Sequence, residues 1–479
     1  MSSHESFRTP IEIERRSIDP IPERERHGSA FSQFTLWFGT NAQITALVDG
    51  ALAVIFGADA IWAIVGLLIG NIAGGAVMAL HSAQGPRLGL PQMISSRAQF
   101  GVYGAVLPLI LVIFMYIGFA ATGTVLAGQA FNAALRVDEP AIGIIIFGVL
   151  TAIVAIVGYR LIHVIGRFSA VVGLVGFVYL YIRLFTTHDV GAAIGVVPFE
   201  VSTFLLAVSL SAGWQLTFGP YVADYSRYLP TSTSRFSVFG STFLGTVLGA
   251  QFAMTLGALI AAVAGDAFLS NQVGYLGDLA GPAAVAVLIY IVVVVGKLTA
   301  NTLNAYGGFM CGVTTTSAFN GTVVISKRVR SVVVIGLMVL AVAVALFASA
   351  DFLNNFRSFV LLILMVFTPW SAINLTDYYL LSKERVDIPA LYDPDGRYGR
   401  WNVCALVSYL IGISAQIPFL SQSLYTGPFA ENLGGSDISW IIGLVVTAAI
   451  YLPWARRVNK APDQMVYAQE GDADEIVIR

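Results

Sequence analysis

Apolar runs of about 20 residues, the length an α-helix needs to cross a bilayer's hydrocarbon at about 1.5 Å per residue, recur about twelve times in this chain. They fall at 31–56, 60–83, 104–133, 140–159, 162–184, 200–223, 236–265, 281–313, 331–350, 355–382, 401–421 and 437–455. In lipid every backbone N–H and C=O has to be satisfied within its own segment, so runs of this kind must be helices of an all-α integral membrane protein. Composition agrees: 57% of the 479 residues are hydrophobic and 11% charged, with a mean hydropathy of +0.77, beyond the range of soluble domains. A formal net charge of -2 and the lack of any long acidic or basic tract leave no nucleic-acid partner to expect. Cys311 and Cys404 lie in or beside apolar runs, so neither a disulfide framework nor a zinc site is expected.

Basic residues set the orientation. With the N-terminal tail taken as cytoplasmic, roughly 22 of the 26 Lys and Arg fall on one side, a strong positive-inside bias. Both termini are then cytoplasmic, and the arginines of the tail, among them Arg15, Arg16, Arg24 and Arg26, read as topology signals. Arg136, Arg183 and Arg357 sit near outer helix ends, where long side chains reach the interface. Lys297 is different. It lies within Tyr290-Ile-Val-Val-Val-Val-Gly-Lys-Leu-Thr-Ala-Asn, where an ionisable group is a functional candidate by default.

Two runs are interrupted. The first carries Phe38-Gly-Thr-Asn-Ala-Gln and the sixth Ser211-Ala-Gly-Trp-Gln-Leu-Thr-Phe-Gly-Pro; polar groups at that depth are costly unless they line a cavity. Each is the first helix of a five-helix set, and because five is odd the second set enters the membrane in the opposite sense. Breaks at corresponding positions of two oppositely oriented halves point to a secondary transporter with its site near the midplane. The expected division is a cytosolic tail at 1–30, repeats at 31–184 and 200–382, two additional helices at 401–455 and a cytosolic tail at 456–479.

Several motifs together carry a family resemblance: Arg26-His-Gly, Trp37-Phe-Gly-Thr-Asn-Ala-Gln, Gly85-Pro-Arg-Leu-Gly-Leu-Pro, Ser95-Ser-Arg-Ala-Gln-Phe-Gly, Ala223-Asp-Tyr-Ser-Arg-Tyr and Tyr392-Asp-Pro-Asp-Gly-Arg-Tyr. In order and spacing the chain resembles the nucleobase:cation symporter-1 family, and within it the purine–cytosine permease branch. The resemblance implies a leucine-transporter-type fold of five plus five inverted helices with two extra C-terminal helices and broken helices 1 and 6. It also implies cation-driven uptake of a nucleobase or related heterocycle through the plasma membrane by a monomer, with no cofactor and no enzymatic step.

That family pattern places Gln43, with Asn41 beside it, at the first break; Tyr116 and Phe119 on the third helix; Trp214 and Gln215 at the sixth-helix break, with Phe218 competing as the second aromatic; and Asn301 and Asn304 on the eighth. These residue types suit a planar heterocycle. Aromatic faces can stack on a ring for about 1 to 3 kcal/mol per base, and amides offer a donor and an acceptor together. The family's sodium site implies carbonyls of Gly39, Ala42 and Gly296 with hydroxyls at 299 and 300. Here Thr299 is present but position 300 is alanine, and Lys297 follows the carbonyl position. An ammonium there opposes sodium by like-charge repulsion, which favours proton coupling through Lys297, with Asp49 as a possible relay and sodium as the alternative ion. Asp49 stands ten residues beyond Gly39, about 15 Å along a helix, so no direct pair with Lys297 is expected.

Duller roles are expected elsewhere. Gly85-Pro-Arg-Leu-Gly reads as a turn, Asp224 with Arg227 as an inner helix cap, and His81 and His163 as interfacial. A membrane-embedded enzyme would cluster His, Asp or Glu within the spans, whereas the five histidines are scattered. A channel or an amino-acid permease of the same fold are the rival classes; the latter needs partners for an ammonium and a carboxylate. Uracil, allantoin and hydantoin remain alternative cargoes.

Overall fold

The computed structural model describes residues 18–157, 159–321, 327–422, 425–458 and 461–467. Helices stand at each predicted run: α1 (Ala30–Asn41), α2 (Ile44–Ile55), α3 (Ala60–Ser82), α4 (Val106–Leu135), α5 (Pro140–Val157), α6 (Tyr159–Thr187) and α7 (Val201–Leu216). They continue with α8 (Arg235–Ala264), α9 (Ala283–Asn320), α10 (Lys327–Ala348), α11 (Phe352–Leu375), α12 (Val403–Gln416) and α13 (Ser439–Val458). Among the described residues the only β-contacts are two isolated bridges. Ile110, Val149, Val175, Leu288 and Val339 are exposed, the outward apolar surface that lipid, not water, accepts.

The first run is bent by 59° between α1 and α2. The break is narrower than expected, because Gly39 lies inside α1 and only Ala42 and Gln43 leave the helix; Gln43 is extended at φ -143° and ψ 165°. In the sixth run the interruption comes later than expected. Helix α7 continues through Trp214 and Gln215 to Leu216, and turns occupy 217–222. Pro220 accounts for this: it lacks an N–H and disfavours helical backbone just before it.

Helix α3 lies along α7, and α8 packs against α1, α2 and α3, while α4 pairs with α9. The α3–α7 approach is close because Gly66, Gly70 and Gly74 face Ala207, Val208 and Ala212, a small-residue stripe of the kind that joins helices in lipid. Asp59 starts α3 by accepting the Ile61 N–H at 2.9 Å, and its other oxygen takes the Val196 N–H at 2.9 Å.

On the basic face, residues before α1 form a strap. The Ile21 N–H donates to the Gly89 carbonyl at 2.9 Å and His27 N–H to Tyr228 at 2.6 Å. Arg26 donates to the carbonyls of Ile21 and Pro86, Glu23 accepts from the Thr231 N–H and hydroxyl, and the Tyr392 hydroxyl donates to Ile18 at 2.6 Å. The Arg26 side chain is only 4% exposed. At this end of the tail the expectation of a purely topological role is corrected: Arg26 is a built-in structural residue. Arg15 and Arg16 lie outside the described residues.

His81 also departs from expectation. It is fully buried, stacked on Trp370 at 4.7 Å between centroids, with Nε2 3.1 Å from the Ser371 hydroxyl. Residues 85–100 fold back over the end of α3 as three single-turn helices, so this helix end does not meet the interface. Asp224 accepts the Gln92 N–H of that loop at 2.8 Å. His163 lies outside the residues whose side chains are described.

Candidate substrate and coupling site

Lys297 is 3% exposed, in mid-α9. Its ammonium donates to Gln43 Oε1 at the first break and to the Thr45 hydroxyl in the opening turn of α2. A lysine therefore crosslinks α9 to the broken helix. Thr45 was not singled out from sequence, since a threonine in an apolar run commonly bonds back to its own helix. One turn beyond Thr45, Asp49 is fully buried, and among the described residues neither carboxylate oxygen has a hydrogen-bond partner. Lys297 thus meets Thr45, a turn from Asp49, and the 15 Å counted from Gly39 is not the separation that governs the two.

The amides sort into two groups. Asn41 is fully buried and saturated by protein: its Nδ2 donates to the Trp37 carbonyl at 2.8 Å and to Thr246 at 3.0 Å, and Oδ1 accepts the Trp214 indole N–H at 2.6 Å. Gln215 is likewise committed, donating to Asn71 Oδ1 at 2.9 Å and accepting from the Thr246 hydroxyl at 2.5 Å. Asn71 continues the network to Gln251 at 3.0 Å. Asn71, Thr246 and Gln251 escaped the sequence reading, because single polar residues in apolar runs carry no spacing signal.

Gln43 and Asn301 keep capacity. The Gln43 oxygen receives Lys297, while its amide nitrogen has no partner among the described residues. Asn301 donates to the Ala120 carbonyl at 2.8 Å and the Thr124 hydroxyl at 3.0 Å, leaving a buried, unpartnered Oδ1. Gly123 permits this arrangement, for a methyl there would press on Asn301 and come within 3.3 Å of Lys297 Cδ. Asn301 is one helical turn from Lys297 on the same face, with its free oxygen packed toward Gly123 of α4.

The aromatics form a continuous wall. Phe119 meets Trp214 edge to face at 5.8 Å and 89°, and on its other side Phe359 at 5.2 Å. Trp214 leads to Phe218 at 5.8 Å, Phe218 to Tyr221 at 5.8 Å, and Tyr221 to Tyr116 at 5.4 Å. In this conformation Phe119 and Trp214 touch edge-on, so a planar ring between them requires one to turn. Phe359 and Tyr221 are members that the sequence reading did not single out. Asn304 lies beyond Tyr116, in a small crevice that Tyr116 shares with Gly308, Leu337 and Met338.

Gly39 and Ala42 are half-buried at the break, and Gly296 and Thr299 flank Lys297. A side chain at Gly296 would meet open space, whereas the Thr299 hydroxyl bonds back to Val295 at 3.1 Å. Among the described residues no group of three or more His, Cys, Asp or Glu is disposed to hold a metal.

With this geometry in hand, known proteins are informative. The family model for permeases for cytosine/purines, uracil, thiamine and allantoin matches residues 20–443. A Bacillus subtilis (strain 168) protein, YxlA, named among the purine-cytosine permeases, is 37% identical over 441 residues, 92% of this chain and 95% of its own. The purine-cytosine permease fcyB of Emericella nidulans is 24% identical, covering 92% of this chain and 88% of its own. The structure of Mhp1, a nucleobase-cation-symport-1 transporter in a closed conformation with bromovinylhydantoin bound, superposes with a TM-score of 0.74 at 19% identity, over 96% of this chain and 99% of that one. Inward-facing Mhp1 gives 0.75, over 98% and 99%. That likeness shows the fold, the leucine-transporter-type arrangement expected from the sequence.

Proposed function

The chain belongs to the family of permeases for cytosine/purines, uracil, thiamine and allantoin, a family of multi-pass membrane transporters, and on that footing we propose that it imports cytosine or a purine such as adenine or hypoxanthine by proton-driven alternating access. The observation that carries this reading is the trio at the first break: the Lys297 ammonium held by Gln43 and Thr45, with the Gln43 amide nitrogen and the Asn301 oxygen uncommitted. A free donor at the first break and a free acceptor on α9 supply the two group types that the mixed edge of an aminated base needs. Phe119 and Trp214 supply faces for the ring once one of them turns.

In the charged state Lys297 ties α9 to α2 through charge-assisted hydrogen bonds, roughly twice as strong as neutral ones. When it releases its proton toward the cytosol the tie weakens, and the broken helix can part from α9. Asp49, a buried acid without partners one turn past Thr45, holds a proton as the neutral form and serves as its relay, because an unpaired carboxylate at that depth is costly. Both termini face the cytoplasm in this reading, the transporter resides in the plasma membrane, and the single chain is the transporting unit.

Uptake of labelled cytosine, competed by adenine, hypoxanthine, uracil and allantoin, tests the substrate; repeating it without sodium and with a protonophore tests the ion. Uptake is expected to persist without sodium and to collapse with the protonophore. The opposite pattern refutes proton coupling, and absence of competition by every base refutes the cargo. A second reading, sodium-coupled carriage of uracil, allantoin or a hydantoin, draws on Thr299 and the open space at Gly296, and the same experiment separates it.

A further inference from the structure

Beyond α11 the backbone widens into a π-helical stretch, Thr376–Leu381, and transport as described above makes no use of it. Such widenings often accompany functional sites. Within it Asp377 is 9% exposed. Its Oδ2 accepts the Tyr451 hydroxyl at 2.8 Å, and Oδ1 accepts the Ser382 hydroxyl at 2.9 Å and, more distantly, Gln99 Nε2 at 3.5 Å. Among the described residues no salt bridge reaches this carboxylate. Two arginines of the next loop face other acids, Arg397 with Asp387 at 3.2 Å and Arg400 with Asp395 at 2.9 Å.

Beside the carboxylate lies a small, partly open cleft whose wall includes Asp377, Ser382, Tyr398, Asn402 and Tyr451. The hydrogen bonds fix what that wall can offer. Ser382 and Tyr451 have one O–H proton each, and both are committed to Asp377, so only lone pairs remain on their oxygens. Asn402 Nδ2 is committed to the Gln99 carbonyl at 2.6 Å, which leaves its oxygen, in long contact with the Ala405 N–H at 3.4 Å, as the group still able to accept. The Tyr398 hydroxyl accepts the Asp387 N–H at 2.9 Å, so its own proton is free to turn away from a cation, and the wall combines one carboxylate with hydroxyl and amide oxygens, with no cationic side chain among the described residues that line it.

Carboxylate, hydroxyl and amide oxygens select hard cations. A single carboxylate suits a single positive charge, whereas calcium sites gather several acidic ligands. We propose that this cleft between the π-helical end of α11 and α13 binds a monovalent alkali-metal cation, with Asp377 as its charge partner and Ser382 and Tyr451 as hydroxyl ligands. Because Asp377 joins the end of α11 to Tyr451 on α13 and to Gln99 in the 92–100 loop, the bound cation stabilises the junction of these three elements. The site is independent of Lys297 and of which ion drives transport.

The test is thermal unfolding of the purified full chain in detergent, in sodium, potassium or choline chloride at equal ionic strength and pH. Binding to the folded state raises stability with ligand concentration, so the melting temperature is expected to be higher in at least one alkali chloride than in choline chloride and to climb saturably with the ion. Asp377→Asn and Tyr451→Phe are expected to lose that ion-specific rise, and Lys297→Met to keep it. Equal melting temperatures in all three salts overturn the site, as does an undiminished rise in Asp377→Asn. A rise lost only in Lys297→Met assigns the ion to the transport site and equally overturns it. If Asp377→Asn does not fold, Tyr451→Phe, which removes a single hydroxyl, decides: an undiminished rise refutes the proposal.

Discussion

Two halves of the buried interior use the same residue types in opposite ways. Around α1, α3, α7 and α8 the amides are closed on one another: Asn41 with Trp214 and Thr246, Gln215 with Asn71 and Thr246, Asn71 with Gln251. Between α4 and α9 they are left open. Asn301 has an orphan acceptor, Thr124 also bonds its own helix through Ala120 at 2.7 Å, and glycine at 123 makes room. Saturated amides hold helices together, whereas under the proposed function Asn301 serves the cargo because it has capacity left over. Spare capacity alone is not enough, since Gln92, Asn132 and Gln416 also bury an unpartnered amide oxygen among the described residues, away from Lys297 in the chain.

The comparison breaks most severely at the lysine that joins the broken helix to α9. Lys297→Met removes two charge-assisted bonds, each worth about 1.5 to 3 kcal/mol, and is expected to lower uptake of labelled base by roughly 100-fold or more, since every 1.4 kcal/mol is about tenfold. Retention of wild-type uptake and protonophore sensitivity would show the crosslink to be idle.

A paired substitution sharpens the contrast between closed and open amides. Asn41→Ala strands the buried Trp214 N–H, whose recorded partner is Asn41, and is expected to cost about 2 kcal/mol of stability. Asn301→Ala leaves the Ala120 carbonyl still bonded by Thr124 and removes an unpaired oxygen, so its stability cost is expected below about 1 kcal/mol, with the loss appearing in substrate affinity instead. Melting curves and competition binding on both variants check this; equal costs in both assays would erase the distinction. The smallest effect is expected at Thr299→Val, because that hydroxyl already bonds back to Val295. Uptake within about twofold of wild type, under 0.5 kcal/mol, supports Lys297 as the cation at this place; a sodium-dependent loss restores the sodium reading.

The helices were legible because apolar length is a one-dimensional property, and Lys297 because a charge in such a run is conspicuous. What sequence could not sort was Asn41 and Gln215 from Asn301. Their chemistry is alike, and only the partners supplied by Trp214, Asn71 and Thr246, far along the chain, distinguish them. His81 looked interfacial for a related reason: the end of a helix is readable, but the loop at 85–100 that covers it is a matter of tertiary packing. The sixth-run interruption is read from sequence as the whole stretch 211–220, and only its second half leaves the helix, because the chain stays helical through Gly213 and Trp214 to Leu216 before Pro220 forces turns.

The strap before α1 carries a consequence for assembly of the chain. Ile18 is joined to Tyr392 across 374 residues, and Glu23 to Thr231 across 208. The first described residues to be synthesised must therefore wait for the loop that follows α11 before they can settle, and contacts of such separation form late. The segment can meet Pro86 and Gly89 early, but until that loop exists Ile18, buried in the finished protein, lacks the Tyr392 side of its cover. The basic face is thus sealed only after most of the chain has entered the membrane, and its seal is made by a segment that precedes every described membrane helix.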